Sequence, residues 1–476
     1  MNIFVKDKHF YKTVAAISIP IALQSLINVG VSMTDTMMLG SFGEITLSAA
    51  SLANQFCFIF LIINFGLGGG AGVLSGQFWG KKDTNSINKV LSILIRSSVI
   101  FALLFLCLSQ FVPEKIMAIY TKEANVSAQG IMYLKIVSLS FIFQGISTTV
   151  NILFRTVESV KVALFGSLAS FVFNVFLNWV LIFGNLGAPQ LGIQGAAIAT
   201  LTSRIIEFTV VMIYLFKIDK KLKFKFKYLF KLDVELLKNY IKVGGPVLIS
   251  DLILALGLNM VSVIMGRMGS DMVAANSISS VVLQFTNVFL MGVANASGVI
   301  TGNTVGEGKF DLAQERAITF VGMAVMLGGF SSILIFILKD FVIDFYNISS
   351  NTKQMAIQLM NSTSFLVIFM AVASLLTKGV LRAGGDTKFL MIADIFFLWA
   401  VSIPLGAIAG LVFKLPAGIV LICLKIDEII KGLWCVARLL SKKWIKAVNE
   451  EDKIDVISIE DLELGDIFIE EISLDE

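Results

Sequence analysis

The chain has 476 residues, of which 56% are hydrophobic and 15% are charged, and its formal net charge is +4. Soluble proteins carry about 25% charged residues, and a soluble fold of this length could not bury so many Phe, Ile, Leu and Val side chains. A lipid bilayer can accept them, because each spanning helix needs about 20 apolar residues. The composition therefore argues against a soluble enzyme and predicts an integral membrane protein.

Apolar runs of spanning length recur along the chain, and the first of them is too long, and lacks the cleavage site, for a signal peptide. They predict an all-α integral membrane protein with twelve transmembrane helices, which puts both termini on one side of the membrane. The predicted helices cover 13–39, 47–75, 89–112, 129–153, 162–186, 192–216, 243–266, 273–303, 316–338, 355–377, 388–413 and 416–441.

Residues that could carry catalytic or metal chemistry are scarce. The four cysteines lie apart in apolar stretches without a CxxC pair, and the single histidine, His9, belongs to the polar N-terminal segment. Neither a zinc site nor a disulfide framework is indicated. We therefore expect neither an enzyme nor a bound cofactor.

Lysine and arginine are distributed unevenly between the two sides of the predicted topology. Most lie in the terminal segments and the even-numbered connections, which the positive-inside rule then assigns to the cytoplasm. The connection 217–242 carries nine lysines and is interpreted as a cytoplasmic linker, with no need for nucleic-acid binding. The last segment, 448–476, is an acidic cytoplasmic tail. The outer connections hold only Lys115, Lys122, Arg267, Lys339, Lys353 and Lys414.

The two halves of the chain repeat each other. Matching residues lie 226 positions apart at first and 227 positions apart further on, where Arg155 aligns with Arg382. Both halves begin on the same side, and parallel repeats of this kind are a transporter architecture with sites near the membrane midplane. The matched pairs at offset 226 are Pro20 and Pro246, Gly40 and Gly266, Gly43 and Gly269, Gly72 and Gly298, Gly76 and Gly302, and Gly80 and Gly306.

The sequence resembles the MATE family, the multidrug and toxic compound extrusion transporters, from about residue 12 to residue 448. The resemblance rests on "IPIALQSLINVGVSMTDTMMLGSFG" in helix 1, "GLGGGAGVLSGQFWGKKD" after helix 2, "LGIQGAAIATLTSRIIE" entering helix 6, "LRAGGDTK" after helix 10 and "RLLSKKWIKAV" at the end of the repeat. It implies two six-helix lobes, 1–216 and 243–447, around a central cavity. It also implies export of organic, often cationic compounds, driven by inward Na⁺ or H⁺.

Helix 1 contains an acid with no counterpart in the other half, since Asp35 aligns with Val261. A carboxylate at bilayer depth costs roughly 2.5–3.5 kcal/mol on insertion scales, so it needs a reason. Asn174 and Asn178 share one face of helix 5, and helix 6 contributes Thr200. These oxygens suit a hard cation, and the family's cation site combines an acid on helix 1 with polar residues on helices 5 and 6. The alternative is that the asparagines only join helices.

The second half has its own acids within predicted helices. Asp251 and Asp394 align with serines and are candidates for a second cation or substrate site, as in some members of the family. The alternative is that a basic neighbour neutralises them or that they are simply protonated.

Charges that recur in both halves of the chain are expected to be structural. Arg204 with Glu207, and Lys425 with Glu428, are expected to form one ion pair in each lobe.

Prolines within two predicted helices are expected to bend them. Pro20 lies in helix 1 and Pro246 in helix 7, and each removes a backbone hydrogen bond. A moving hinge and a fixed kink are equally open alternatives.

These features together predict a cation-coupled antiporter that exports organic cations by alternating access, working as a monomer in the cell membrane. The alternative within the same superfamily is a flippase for lipid-linked saccharides, which would need cationic grooves in place of acids. A channel or receptor is disfavoured by the twofold repeat with single buried acids.

Overall fold

The computed structural model describes residues 4–231, 233–344, 346 and 348–447. Within these residues the chain is helical, and the only β-type pairing is an isolated antiparallel bridge between Gly385 and Ile445. The all-α prediction is thus confirmed. The predicted acidic tail, 448–476, lies outside the described residues.

Eleven helices in the described part of the chain are long and apolar enough to cross a membrane. The first six are α1 Lys8–Phe42, α2 Glu44–Gly80, α3 Thr84–Phe111, α4 Ala124–Thr156, α5 Lys161–Phe183 and α6 Ile193–Ile218. The other five are α7 Val234–Arg267, α8 Ser270–Gly306, α9 Phe310–Asp344, α10 Ser350–Ala383 and α11 Thr387–Val412. A short helix, Pro113–Tyr120, precedes α4.

The region of the predicted twelfth helix, 416–441, contains two shorter helices. They are α12 Ala417–Leu424 and α13 Ile426–Leu440. The backbone of Lys425 leaves the helical conformation between them, with φ −124° and ψ 13°. Together α12 and α13 cover the predicted span, but α13 begins with two acids in its first turn.

The helix boundaries follow from local chemistry. Asp83 accepts a hydrogen bond from the Ser86 N–H at the start of α3, and Asp233 accepts one from the Leu236 N–H at the start of α7. Such caps satisfy N–H groups that lack a partner within the helix. The Leu236 N–H and the Lys89 ammonium together lower the pKa of the partly exposed Asp233 carboxyl. The helix α7 therefore starts inside the range predicted as a linker, 217–242.

The repeat is visible in the connections between the first two helices of each half. Gly43 is the single residue between α1 and α2. Gly269 is the single residue between the C-cap of α7 and Ser270, where α8 begins. Gly43 has φ +141° and its repeat partner Gly269 has φ +121°. Residues with a Cβ rarely adopt these angles, so glycine is required at both turns.

The two lobes meet through α1, α2, α7 and α8, and glycines allow a close approach at one end of this interface. A Cβ added at Gly66 would lie 2.9 Å from the Leu248 Cα, and one added at its repeat partner Gly292 would lie 3.2 Å from the Ala22 Cβ. At Gly306 an added Cβ would collide with the Gln77 backbone. The helix ends near residues 66–80 and 292–306 are therefore closed against each other.

The opposite ends of the same four helices differ from this closed end in their exposure. Polar side chains are exposed there at membrane depth, although the helices are otherwise apolar, so they are best placed to line a cleft between the lobes. The exposed polar residues are Asn28, Ser32 and Thr36 of α1, Asn54 and Gln55 of α2, Asn259 and Ser262 of α7, and Ser277 and Gln284 of α8. The close contacts between the lobes thus lie toward Gly80 and Gly306, and the exposed polar side chains lie toward Gly43 and Gly269.

The prolines that were expected to bend helices lie inside α1 and α7. Pro20 and Pro246 are both within helices that continue beyond them. They precede the segments that line the open end of the cleft, as the repeat requires.

Candidate cation site and the charges of the two lobes

The first lobe brings Asp35, Asn174 and Asn178 together. The Asn178 side-chain N–H donates a hydrogen bond to the Asp35 carboxylate, and it also lies 3.2 Å from the Asn174 Oδ1. Asn174 and Asn178 are 1% and 0% exposed, because both lie on the face of α5 that packs against α1. The Asn178 Oδ1 is buried and has no hydrogen-bond partner among the described residues. This oxygen and the second carboxylate oxygen of Asp35 are available to a ligand.

Two further residues border this site. The Tyr133 hydroxyl of α4 donates a hydrogen bond of 3.3 Å to the Asn54 Oδ1 of α2, and it also interacts with Thr200 of α6 and with the charge of Asp35. The predicted residue Thr200 therefore belongs to the same group, through Tyr133. Tyr133 and Asn54 were not predicted from the sequence. Tyr133 could have been identified as a candidate, because a buried tyrosine hydroxyl needs a hydrogen-bond partner.

No described basic residue forms an ion pair with Asp35. The basic residue that acts on it electrostatically is Arg204 of α6, and the Arg204 guanidinium is already paired with Glu207 at 2.8 Å. The negative charge of Asp35 is thus not balanced by a direct partner. Within the described residues no group of three or more His, Cys, Asp or Glu side chains is placed to hold a metal ion, so a bound Na⁺ would depend on one carboxylate and neutral oxygens.

Asp251 of the second lobe differs from Asp35 in having a direct counter-ion. The Arg382 guanidinium of α10 donates to both carboxylate oxygens, at 3.0 Å and 3.4 Å. A fork-shaped pair of this kind is the strongest form of charge-assisted hydrogen bonding.

Asp394 of α11 is also neutralised from within the protein. Its Oδ2 accepts a hydrogen bond of 2.7 Å from Ser250, and its Oδ1 lies 3.2 Å from the Lys431 Nζ of α13. The same ammonium lies 3.7 Å from Glu428 and 3.8 Å from Asp427. Asp251 and Asp394 are therefore paired with different basic residues, Arg382 and Lys431.

One of the two ion pairs expected in the lobes is present, and the other forms with a different lysine. Arg204 pairs with Glu207 as predicted, whereas Glu428 pairs with Lys431 and not with Lys425. Lys425 occupies the break between α12 and α13, so it does not share a helix face with Glu428. The pair between Glu428 and Lys431 was not predicted, because Lys425 and Lys431 are both three residues from Glu428 and the spacing fits either lysine.

Arg155, the repeat partner of Arg382, has only neutral partners among the described residues. Its guanidinium lies 2.9 Å from the Gln24 Oε1 of α1 and 3.5 Å from the Asn295 Oδ1 of α8. Both arginines thus reach toward the interface between the lobes, but only Arg382 is balanced by a carboxylate.

Comparison with known proteins agrees with this architecture. The MatE family model matches residues 20–180 and 246–408, one match for each half of the repeat. The chain is 23% identical over 410 residues to the probable multidrug resistance protein YoeA of Bacillus subtilis, covering 85% of this chain and 88% of the relative.

Solved structures share the fold at low sequence identity. An outward-facing multidrug resistance MATE transporter of the MOP superfamily is 18% identical, with a TM-score of 0.81, and the alignment covers 91% of this chain and 97% of that one. A MOP superfamily transporter from Pyrococcus furiosus, whose binding pocket is described as having reverse polarity, has a TM-score of 0.82 at 18% identity and the same coverage. The chain therefore belongs to the MatE family of multidrug efflux transporters.

Proposed function

We propose that the protein is a cation-coupled antiporter that exports organic cations across the cell membrane, with Asp35 as the carboxylate that binds the coupling ion. The observation that carries this proposal is the state of the three candidate acids. Asp251 and Asp394 each have an internal basic partner, and Asp35 has none among the described residues. An uncompensated carboxylate at membrane depth is costly, and an Na⁺ or H⁺ from solution supplies the missing charge.

The position of Asp35 suits coupling as well as binding. Its neighbours come from α5 directly and from α2, α4 and α6 through Tyr133, so one bound ion acts on five helices of the first lobe. A ligand shifts a conformational equilibrium only by its differential affinity for the two states. Movement of α1 relative to α5 would separate Asp35 from Asn178 and provide that difference.

The open cleft is the proposed route for substrate. Its exposed asparagine, glutamine, serine and threonine side chains accompany exposed methionines of α1 and α7, at Met33, Met37 and Met260. Polarizable thioethers accept varied apolar shapes, which suits a transporter of organic compounds. With the closed end on the cytoplasmic side, this conformation is outward-open.

A lipid-linked saccharide flippase is the second candidate, and the cations of the second lobe bear on it. Recognition of a diphosphate would need basic groups that are free to pair with it. Arg382 and Lys431 are both held by carboxylates, which favours the antiporter. Arg155 and the exposed Lys378 are the described cations that a flippase would use.

The proposed coupling is tested by dye transport into everted membrane vesicles from cells that produce the protein, with Na⁺ and H⁺ gradients imposed separately. Because these vesicles expose the cytoplasmic face, we expect an outwardly directed gradient of one ion to drive accumulation of a cationic dye in the lumen, and collapse of that gradient by an ionophore to stop it. Dye transport that depends on neither gradient would rule out antiport by either ion. Transport of a lipid-linked saccharide with no dye efflux would favour the flippase.

The proposed topology places both termini and the linker in the cytoplasm. In a protein without its four native cysteines, Lys220→Cys should resist an impermeant thiol reagent added to intact cells, because this exposed residue follows α6 on the inner side. The matched control is Lys122→Cys, which is exposed on the other side and should react. The reverse labelling pattern would invert the whole topology, and with it the assignment of the open cleft to the outside.

A second cation or substrate site at Asp251 and Asp394 stays a prediction, and the pairing of these acids with Arg382 and Lys431 argues against it.

A further inference from the structure

The second lobe contains a buried cluster that has the form of a cation site. The Lys431 ammonium is surrounded by Asp394, Glu428 and Asp427 at 3.2, 3.7 and 3.8 Å. The side chains of Lys431 and Asp394 are only 5% and 2% exposed. Buried charges persist in proteins when they are paired and hydrogen-bonded, so this cluster is held together by its lysine.

Two of the carboxylates are oriented toward the lysine by serines. Asp394 uses its Oδ2 to accept a hydrogen bond from Ser250 and turns its Oδ1 to Lys431. Asp427 uses its Oδ1 to accept a hydrogen bond of 2.8 Å from Ser402 and turns its Oδ2 to Lys431. Each of these two acids thus has one oxygen that accepts a hydrogen bond from a serine hydroxyl and one oxygen that faces the Lys431 ammonium.

Interrupted helices surround the cluster. A π-helical segment, Phe396–Ser402, follows Asp394 in α11, and the break at Lys425 comes directly before Asp427. In transporters such interruptions mark the sites of ions and substrates near the midplane. The backbone therefore has the features of an ion site, although the cation present is a side chain.

The first lobe has the same contact without the charge. At the positions that align with Ser250 and Asp394, Gln24 donates a hydrogen bond of 3.1 Å to Ser167. The contact between these two helices is thus kept in both lobes, and only the second lobe carries an acid there. The first lobe places its single acid at Asp35 instead, where no described lysine reaches it.

We propose that Lys431 is a fixed internal cation that fills the second-lobe site, so that the exchanged cation binds in the first lobe alone. This inference rests on the proposed function of Asp35. It makes Lys431 the residue that restricts the number of coupling ions, because an ammonium tethered to α13 satisfies Asp394 in both orientations of the transporter.

Other charges face the same region and stay in place when the pair is changed. Asp251 is held by Arg382 of α10, and Lys378 of α10 lies within electrostatic range of Asp251, Glu428 and Lys431. Removing Lys431 together with Asp394 removes one charge of each sign. The balance of this region is then unchanged, whereas removing Lys431 alone leaves an unpaired buried acid.

The test compares Lys431→Met, Asp394→Asn and the double variant. We expect Lys431→Met to lose thermal stability and transport, because breaking a buried ion pair from one side is strongly destabilising. The double variant should recover the melting temperature and the coupled efflux, with the wild-type number of ions moved per drug molecule in a reversal-potential assay. Asp394→Asn alone should keep that ratio too, since Lys431 retains Glu428 and Asp427.

A lower ion-to-drug ratio in folded Asp394→Asn, or in the folded double variant, would overturn the inference, because Asp394 would then exchange a cation. If the double variant does not fold, the single Asp394→Asn measurement decides. The Asp35→Asn protein in the same assay separates the two ideas: coupled efflux that survives in it contradicts the proposed function of Asp35, whatever the second-lobe variants do.

Discussion

Replacement of Asp35 by asparagine is expected to abolish ion-driven efflux while the protein still folds. Asparagine keeps the shape of the side chain and can still meet Asn178, but it cannot neutralise a bound cation. Asparagine cannot take up a proton at all, and for Na⁺ the loss of a charged ligand, on the scale of about 1.5–3 kcal/mol for a hydrogen bond to a charged group, should lower the affinity roughly 10- to 100-fold. Folding should survive, because the variant no longer carries a charge at bilayer depth.

The measurement is dye efflux from proteoliposomes with matched protein amounts and an imposed Na⁺ or H⁺ gradient. The controls are Asn174→Ala and Asn178→Ala, which each remove a neutral group from the same site. They should weaken the ion dependence less, by about 1 kcal/mol or roughly fivefold in ion affinity. Coupled efflux at the wild-type rate in Asp35→Asn would refute the assignment of the coupling site.

The components of the first-lobe site could be predicted because they depend on short-range patterns. Asn174 and Asn178 are four residues apart, which places them on one helix face wherever that helix lies. Asp35 stands out because its repeat partner is Val261, and a requirement shared by both halves would not tolerate that difference. The structure adds that Asn178 lies between the other two, donating to Asp35 and to Asn174.

The second-lobe cluster could not be predicted in the same way. Lys425 and Lys431 are both three residues from Glu428, so the spacing of an ion pair on a helix fits either lysine. The choice depends on the break at Lys425, which separates that residue from the face of α13. Asp394 comes from another helix, and the rotation of α11 that aims it at Lys431 depends on tertiary contacts that a sequence pattern does not contain.

Helix boundaries show a related limit of hydropathy. The apolar stretches identified the crossings, but the structural helices continue beyond them where polar residues are still helical. α7 begins at Val234, within the lysine-rich connection, because Asp233 caps it there. The first part of the same connection packs against the first lobe, where Leu222 and Phe224 are buried and the Leu222 carbonyl accepts from Asn88. The linker predicted from its lysine content, 217–242, therefore includes the first residues of α7, which belongs to the second lobe.

The closed end of the cleft leads to the second large effect, which is expected for Gly306→Ala. A Cβ at Gly306 would collide with the backbone of Gln77 in α2, and backbone atoms cannot turn aside as a flexible side chain can. Overpacking of this kind costs about 1–3 kcal/mol. The conformation that is closed at this end should therefore become roughly 5- to 100-fold less populated, and the transport rate should fall with it.

Two comparisons make Gly306→Ala specific to closure. Alanine is a better helix former than glycine by about 1 kcal/mol, so a loss of transport cannot come from weakening α8. Gly266→Ala is the matched control, because an added Cβ there meets no atom within 4 Å. In a background without the native cysteines, spin labels are attached at Lys81→Cys and Lys309→Cys, which flank the ends of α2 and α8. Double electron–electron resonance between the two labels then measures the separation of these helix ends. We expect the Gly306→Ala distance distribution to shift toward longer separations while Gly266→Ala matches the wild type. An unchanged distribution with normal efflux in Gly306→Ala would mean that the contact between α2 and α8 is not the closure that alternating access opens.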